Sequence, residues 1–203
     1  MSRPRPLCES GRVKGLYVVA AVTMAGVSSV FALLAEIEET YDIATKNLGW
    51  IAGSAFLGAL VTQLWLARYA DRGHAALLLR GGVIAATIGL LWFGLATELG
   101  QFVAARTILG AGVGMIVPPA RRYIIVTGGP QQGAMLGAFY GAYVSGFVFG
   151  PPIAGALTEL FDVRVPFLVL GGVTLVSIVA LRGLDIPAAD GSASEVQRKG
   201  VLG

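Results

Sequence analysis

Few residues in this chain could do chemistry, and most of those stand inside or beside apolar stretches. Arg106 lies near the outer end of the run Phe102 to Val126. A guanidinium at the centre of a bilayer costs about 3 kcal/mol on insertion scales, so it either snorkels to the interface or has a partner or a water-filled cavity. Gln63, Thr62 and Ser54 in one run, and Thr23, Ser28 and Ser29 in another, are milder. They line a polar path or hydrogen-bond between helices. Asp71 and Arg72 share a short turn. A carboxylate there is either solvated or accepts hydrogen bonds from the N-terminal amides of an adjacent helix, a latch that breaks when the two elements part. No carboxylate falls within the apolar runs, and Glu36 and Asp71 come nearest. Burial would raise the pKa of such an acid and let it carry protons.

Catalytic alternatives fare poorly. Serine hydrolysis in a membrane needs an embedded serine within reach of a base. Ser145 precedes Gly146 suggestively, but the single histidine, His74, falls in a turn two runs away. Gly110-x-Gly112-x-Gly114 is no nucleotide loop, because it lies within an apolar run, follows no strand and closes on Pro118-Pro119. Asn-Pro-Ala caps of a water channel are absent from the sequence. No enzyme activity, metal or cofactor is expected.

The elements that must position these groups are membrane helices. The 203 residues are 55% hydrophobic and 13% charged, with mean hydropathy +0.74. That is about half the charge of a soluble domain. The net charge of +3 sits in short loops and forms no nucleic-acid patch. Cys8 has no disulfide mate, and its lipidation is a minor alternative. Six apolar runs approach the roughly 20 helical residues that a crossing needs: Leu16 to Ala35, Leu48 to Ala67, Leu77 to Ala96, Phe102 to Val126, Gly133 to Leu157 and Pro166 to Leu181. The first follows Arg3, Arg5, Arg12 and Lys14 but exceeds a signal core of roughly 7 to 15 residues, so it reads as a retained helix. Those four cations, with Arg68, Arg72, Arg80, Arg121, Arg122, Arg182, Arg198 and Lys199, collect on the side of both termini. The other side has only Lys46 and Arg164 among many acids, which places both termini in the cytoplasm.

The fifth run carries two ridges of small residues at a spacing of four: Gly133, Gly137, Gly141, Ser145, and Ala134, Ala138, Ala142, Gly146, Gly150, Ala154. Together they form a flat side about 100° wide. Each glycine weakens a soluble helix by roughly 1 kcal/mol, whereas in lipid such a side lets two backbones pack closely. A partner helix is expected. Gly150-Pro151-Pro152 is predicted to bend or unwind the segment.

Three of these segments carry a family likeness. Ala67-Arg68-Tyr69-Ala70-Asp71-Arg72-Gly73-His74 resembles motif A of the major facilitator superfamily, G-x-L-a-D-r-x-G-r-k, one residue short and with His74 and Ala75 for the trailing basic pair. Arg106 to Gly112 is similar to motif B, R-x-x-q-G-x-g, with Leu109 in place of glutamine. Gly137, Gly146, Gly150-Pro151 and Ala154-Gly155 resemble motif C, g-x8-g-x3-G-P-x2-G-G, of the drug and proton antiporter branch.

The resemblance implies twelve helices in two halves, each of two inverted three-helix repeats, with substrate between the halves. The expected fold is therefore an all-α membrane protein with six transmembrane helices as two inverted three-helix repeats, half of a major facilitator fold. A basic N-terminus (1–14) precedes the bundle (15–182), and a cytoplasmic linker or disordered tail (183–203) follows. The function it implies is efflux of small, drug-like molecules by alternating access in the plasma membrane, coupled to protons. A second six-helix half or a homodimer partner would be required. A non-transporting membrane subunit or a truncated, inactive half is the alternative. By the same resemblance Arg106, Glu36 and Gln63 are the transport and coupling candidates, and Asp71 with Arg72 is the conformational latch. Gly137, Gly141, Gly146, Gly150, Pro151 and Gly155 form the kinked helix interface that seals against the other half.

Overall fold

The computed structural model describes residues 8–69 and 75–181. The first residues, the turn holding Asp71, Arg72 and His74, and the polar tail lie outside the described residues.

Each apolar run becomes a helix, and no strand occurs among the described residues. Helix α1 spans Cys8–Ala32, and α2 spans Leu34–Tyr41. A 3-10 turn at Thr45–Asn47 leads into α3, Leu48–Tyr69. Then come α4, Ala75–Leu95, and α5, Leu99–Gly128. A second 3-10 turn, Gly129–Gln131, opens at Gly129 with φ 48°, a value glycine adopts without strain. Helix α6 follows at Gln132–Leu160 and α7 at Val165–Ser177, which tightens into a 3-10 turn over Ile178–Leu181. Four helical stretches are long and apolar enough to cross a membrane: 13–32, 45–65, 75–95 and 99–160, the last holding both α5 and α6. Residues 165–181 form a shorter apolar helix.

Helix α2 is a departure from the sequence expectation, which runs the first helix through Ala35. The chain turns at Leu33, and Ile37 then buries beneath α2 while Glu36 and Glu39 stay exposed. One apolar residue per turn suffices to lay a short helix across the bundle's end.

Helix α5 packs on α4 and α3, α1 packs on α6 and α7, and α4 also packs on α7. At the α2 end, rings interlock edge to face: Tyr41 with Phe102 at 5.2 Å, Phe102 with Phe93 at 5.0 Å, and Phe93 with Phe167 at 4.8 Å. They join α2, α5, α4 and α7. At the opposite end Leu16, Leu79, Ile116, Ile124 and Phe139 form a second core. Helix α3 is peripheral and rests chiefly on α5, where a Cβ at Gly58 or Gly110 would strike the carbonyl oxygens of Thr107 and Ala55.

The expected unwinding at Gly150-Pro151-Pro152 does not occur, and α6 runs helically through both prolines. Backbone contact explains this, because Gly146 and Gly150 press directly on Ala21 and Ala25 of α1. Ser29 Oγ also donates to the Gly150 carbonyl at 3.3 Å.

Candidate functional site

Arg106 sits in α5 about 10 Å along the axis from Leu99, at 1.5 Å per residue. It does not snorkel. The side chain is 0% exposed, its Nη1 donates to the Val27 carbonyl of α1 at 2.9 Å, and its Cζ lies 4.8 Å from the Phe31 ring centroid. Of the two alternatives left by the sequence, burial with a partner has a physical basis. Val27 oxygen can serve the helix and still accept the guanidinium, and the Phe31 ring face offsets part of the desolvation, by roughly 2 kcal/mol for a buried cation.

Nε and Nη2 of Arg106 have no hydrogen-bond partner among the described residues. Phe31 in turn meets Phe56 of α3 at 6.5 Å and Phe147 of α6 at 6.4 Å. Phe56 is 68% and Phe147 45% exposed. Phe31 thus covers the buried cation, and rings from two further helices flank Phe31.

The other site residues predicted from sequence are not gathered here. Glu36 on α2 and Gln63 on α3 are exposed, and Arg106 bonds to neither. Asp71 and Arg72 lie outside the described residues. The interface glycines divide. A Cβ at Gly137, Gly141 or Gly155 would meet nothing within 4 Å, whereas Gly146 and Gly150 are occupied by α1. Half of the bare side therefore seals within this chain, a correction to the expectation that all of it faces a second bundle. Pro151 is half-buried beside that contact.

Most of the milder polar residues turn back onto their own helices. Ser29 donates to Ala25 at 2.6 Å, Ser54 to Ile51 at 3.0 Å, Thr62 to Gly58 at 2.8 Å and Ser145 to Gly141 at 2.7 Å. Bonds of this kind satisfy the hydroxyl without lining a path. Outside the apolar helices, Arg164 Nε donates to the Tyr41 hydroxyl at 2.8 Å. That bond, joined by attraction to Asp162, raises the guanidinium's pKa and ties α2 to the start of α7.

Phe31 and Val27 escaped the sequence reading. Their spacing of four puts them on one face of α1, yet nothing in that spacing points to an arginine 79 residues away from Val27.

Packed apolar helices around a buried cation, the single one among the described residues, define a multi-pass helical membrane protein. Known proteins narrow the class. A profile described as Major Facilitator Superfamily matches residues 16–202, and the chain belongs to that superfamily. It is 22% identical over 159 residues to Multidrug resistance protein 2 of Bacillus subtilis, covering 78% of this chain and 40% of the relative. It is 31% identical over 133 residues to Multidrug resistance protein MdtG of Serratia proteamaculans, covering 64% of this chain and 32% of that one. Its fold is similar to that of a bacterial homolog of the human lysosomal transporter Spinster in an inward-facing, unoccupied conformation. There the TM-score is 0.80 at 17% identity, over 92% of this chain and 45% of the other. The chain spans less than half the length of these relatives.

Proposed function

We propose that residues 15–182 provide six membrane crossings of a secondary transporter that exports small amphipathic molecules by alternating access, working with a second six-helix unit. The reading is carried by one observation: on a chain whose family match runs from 16 to 202, Gly133, Gly137 and Gly141 in the first half of α6 stand bare, while Gly146 and Gly150 in its second half are packed on α1. A helix so weakened by glycine is compensated when a second backbone lies against it. That unit is a second half or a second copy of the chain.

Part of the packing supports two inverted three-helix repeats, α1, α3, α4 and α5, α6, α7: α6 rests on α1 as α3 rests on α5, and α4 meets α7. The loop charges favour both termini in the cytoplasm and the plasma membrane as the site of action. Proton coupling rests on family likeness alone, with Glu36 as the local acid to test and Asp71 with Arg72 as the latch.

Reconstitution decides the matter. Proteoliposomes carrying the chain, alone and together with a second six-helix unit, are loaded with cationic, neutral and anionic fluorescent amphiphiles under an imposed proton gradient. Gradient-driven export of any dye supports transport, and protein-dependent proton movement accompanying it supports coupling. Silence in both preparations overturns the proposal in favour of a non-transporting subunit.

A further inference from the structure

We propose that Arg106, beneath the Phe31 ring, is the recognition group for the carboxylate of an aromatic organic anion. The inference rests on the transport reading for its physiological meaning and names the substrate class of that same site.

The geometry of the guanidinium is the first ground. Nη1 is spent on Val27, and the free groups are Nε and Nη2. Those two N–H bonds are parallel and lie along one edge of the planar head, the edge that forks a carboxylate with two hydrogen bonds. What remains open on Arg106 matches a bidentate anion.

The second ground is charge. A fully buried cation without an acid is expensive, and such groups are retained where an anion arrives. No acid of the described residues bonds Arg106. Leu109, nearly one turn on, is also fully buried and offers no acceptor where the related motif has glutamine.

The third ground is the cover. Phe31 stands over the guanidinium and packs beside Phe56, which is largely exposed, and Phe147, which is about half exposed, so the arginine is reached from the open face when Phe31 swings aside. A planar apolar body would lie among the three rings, offset-stacked or edge-on, while its carboxylate meets Nε and Nη2. A ligand with a cationic head would meet repulsion at the same place.

The test uses the whole chain in lipid nanodiscs and two probes of one shape, 2-naphthoate and its uncharged amide, 2-naphthamide, with binding read by equilibrium dialysis. The acid should bind at least about tenfold more tightly than the amide, the size of one charged hydrogen-bonding contact. Arg106→Met should erase that ratio, and Arg106→Lys should keep only part of it, because an ammonium cannot form the fork. Phe31→Leu should weaken both probes by a similar factor and leave the ratio in place. Equal binding of acid and amide to the unmodified chain, or no binding of either, overturns the proposal without reliance on any variant. Such a result points instead to a side-chain carboxylate from the second unit as the partner of Arg106. Failure of the transport reading is separately visible: a chain that prefers the acid yet moves no dye loses transport and keeps this site, whereas one that exports neutral dyes without the preference loses only the site.

Discussion

The two aromatic clusters are built from nearly the same residue types and behave differently. At the α2 end, Phe93, Phe102 and Phe167 are 1%, 1% and 2% exposed and interlock with centroids 4.8 to 5.0 Å apart. Around Arg106 the centroids are 6.4 to 6.5 Å apart and tilted, and two of the three rings, Phe56 and Phe147, are exposed. The first cluster is a clamp whose rings have nowhere to go. The second is a cover, attracted to a charge below and free on its open side. Where each ring sits, rather than what it is, separates a structural role from a candidate functional one.

Several substitutions break or sharpen that contrast. Phe93→Ala should cost about 3 to 5 kcal/mol, because it empties a site that cannot collapse. Phe56→Ala should stay within roughly 1 kcal/mol, since its ring is largely uncovered. Thermal unfolding in detergent compares the two, and equal losses would erase the distinction. The ridges of α6 provide a second pair. Gly146→Ala should destabilise by about 1 to 3 kcal/mol as its methyl strikes α1, whereas Gly141→Ala should be neutral or stabilising by up to about 1 kcal/mol. A smaller effect is expected for Tyr41→Phe, which removes the acceptor for Arg164 and should lower the unfolding temperature only slightly in the same assay. Glu36→Gln should leave stability unchanged, and a loss of dye-driven proton movement in proteoliposomes would mark it as the coupling acid.

Hydropathy made the long apolar helices legible, because a run of apolar residues is both necessary and nearly sufficient for a membrane helix. The break at Leu33 was not legible, since Leu34, Ile37 and Tyr41 continue the helical period across it. The glycine ridges were readable as small-residue surfaces. Periodicity states that two ridges are neighbours on one helix, but it does not say that α1 covers Gly146 and Gly150 and leaves Gly137 and Gly141 bare. Arg106 was visible as an oddity, and its depth was not. Its acceptor is a backbone carbonyl, which carries no signature in the amino-acid sequence.

The account depends most on what lies against the bare ridge of α6. Cysteine crosslinking in native membranes reads this directly, using Gly141→Cys in a Cys8→Ser background with Gly146→Cys as the buried control. A trapped dimer or complex with a second six-helix chain through position 141, and none through 146, is the expected result. An exclusively monomeric protein in a preparation that still exports dye would contradict the account.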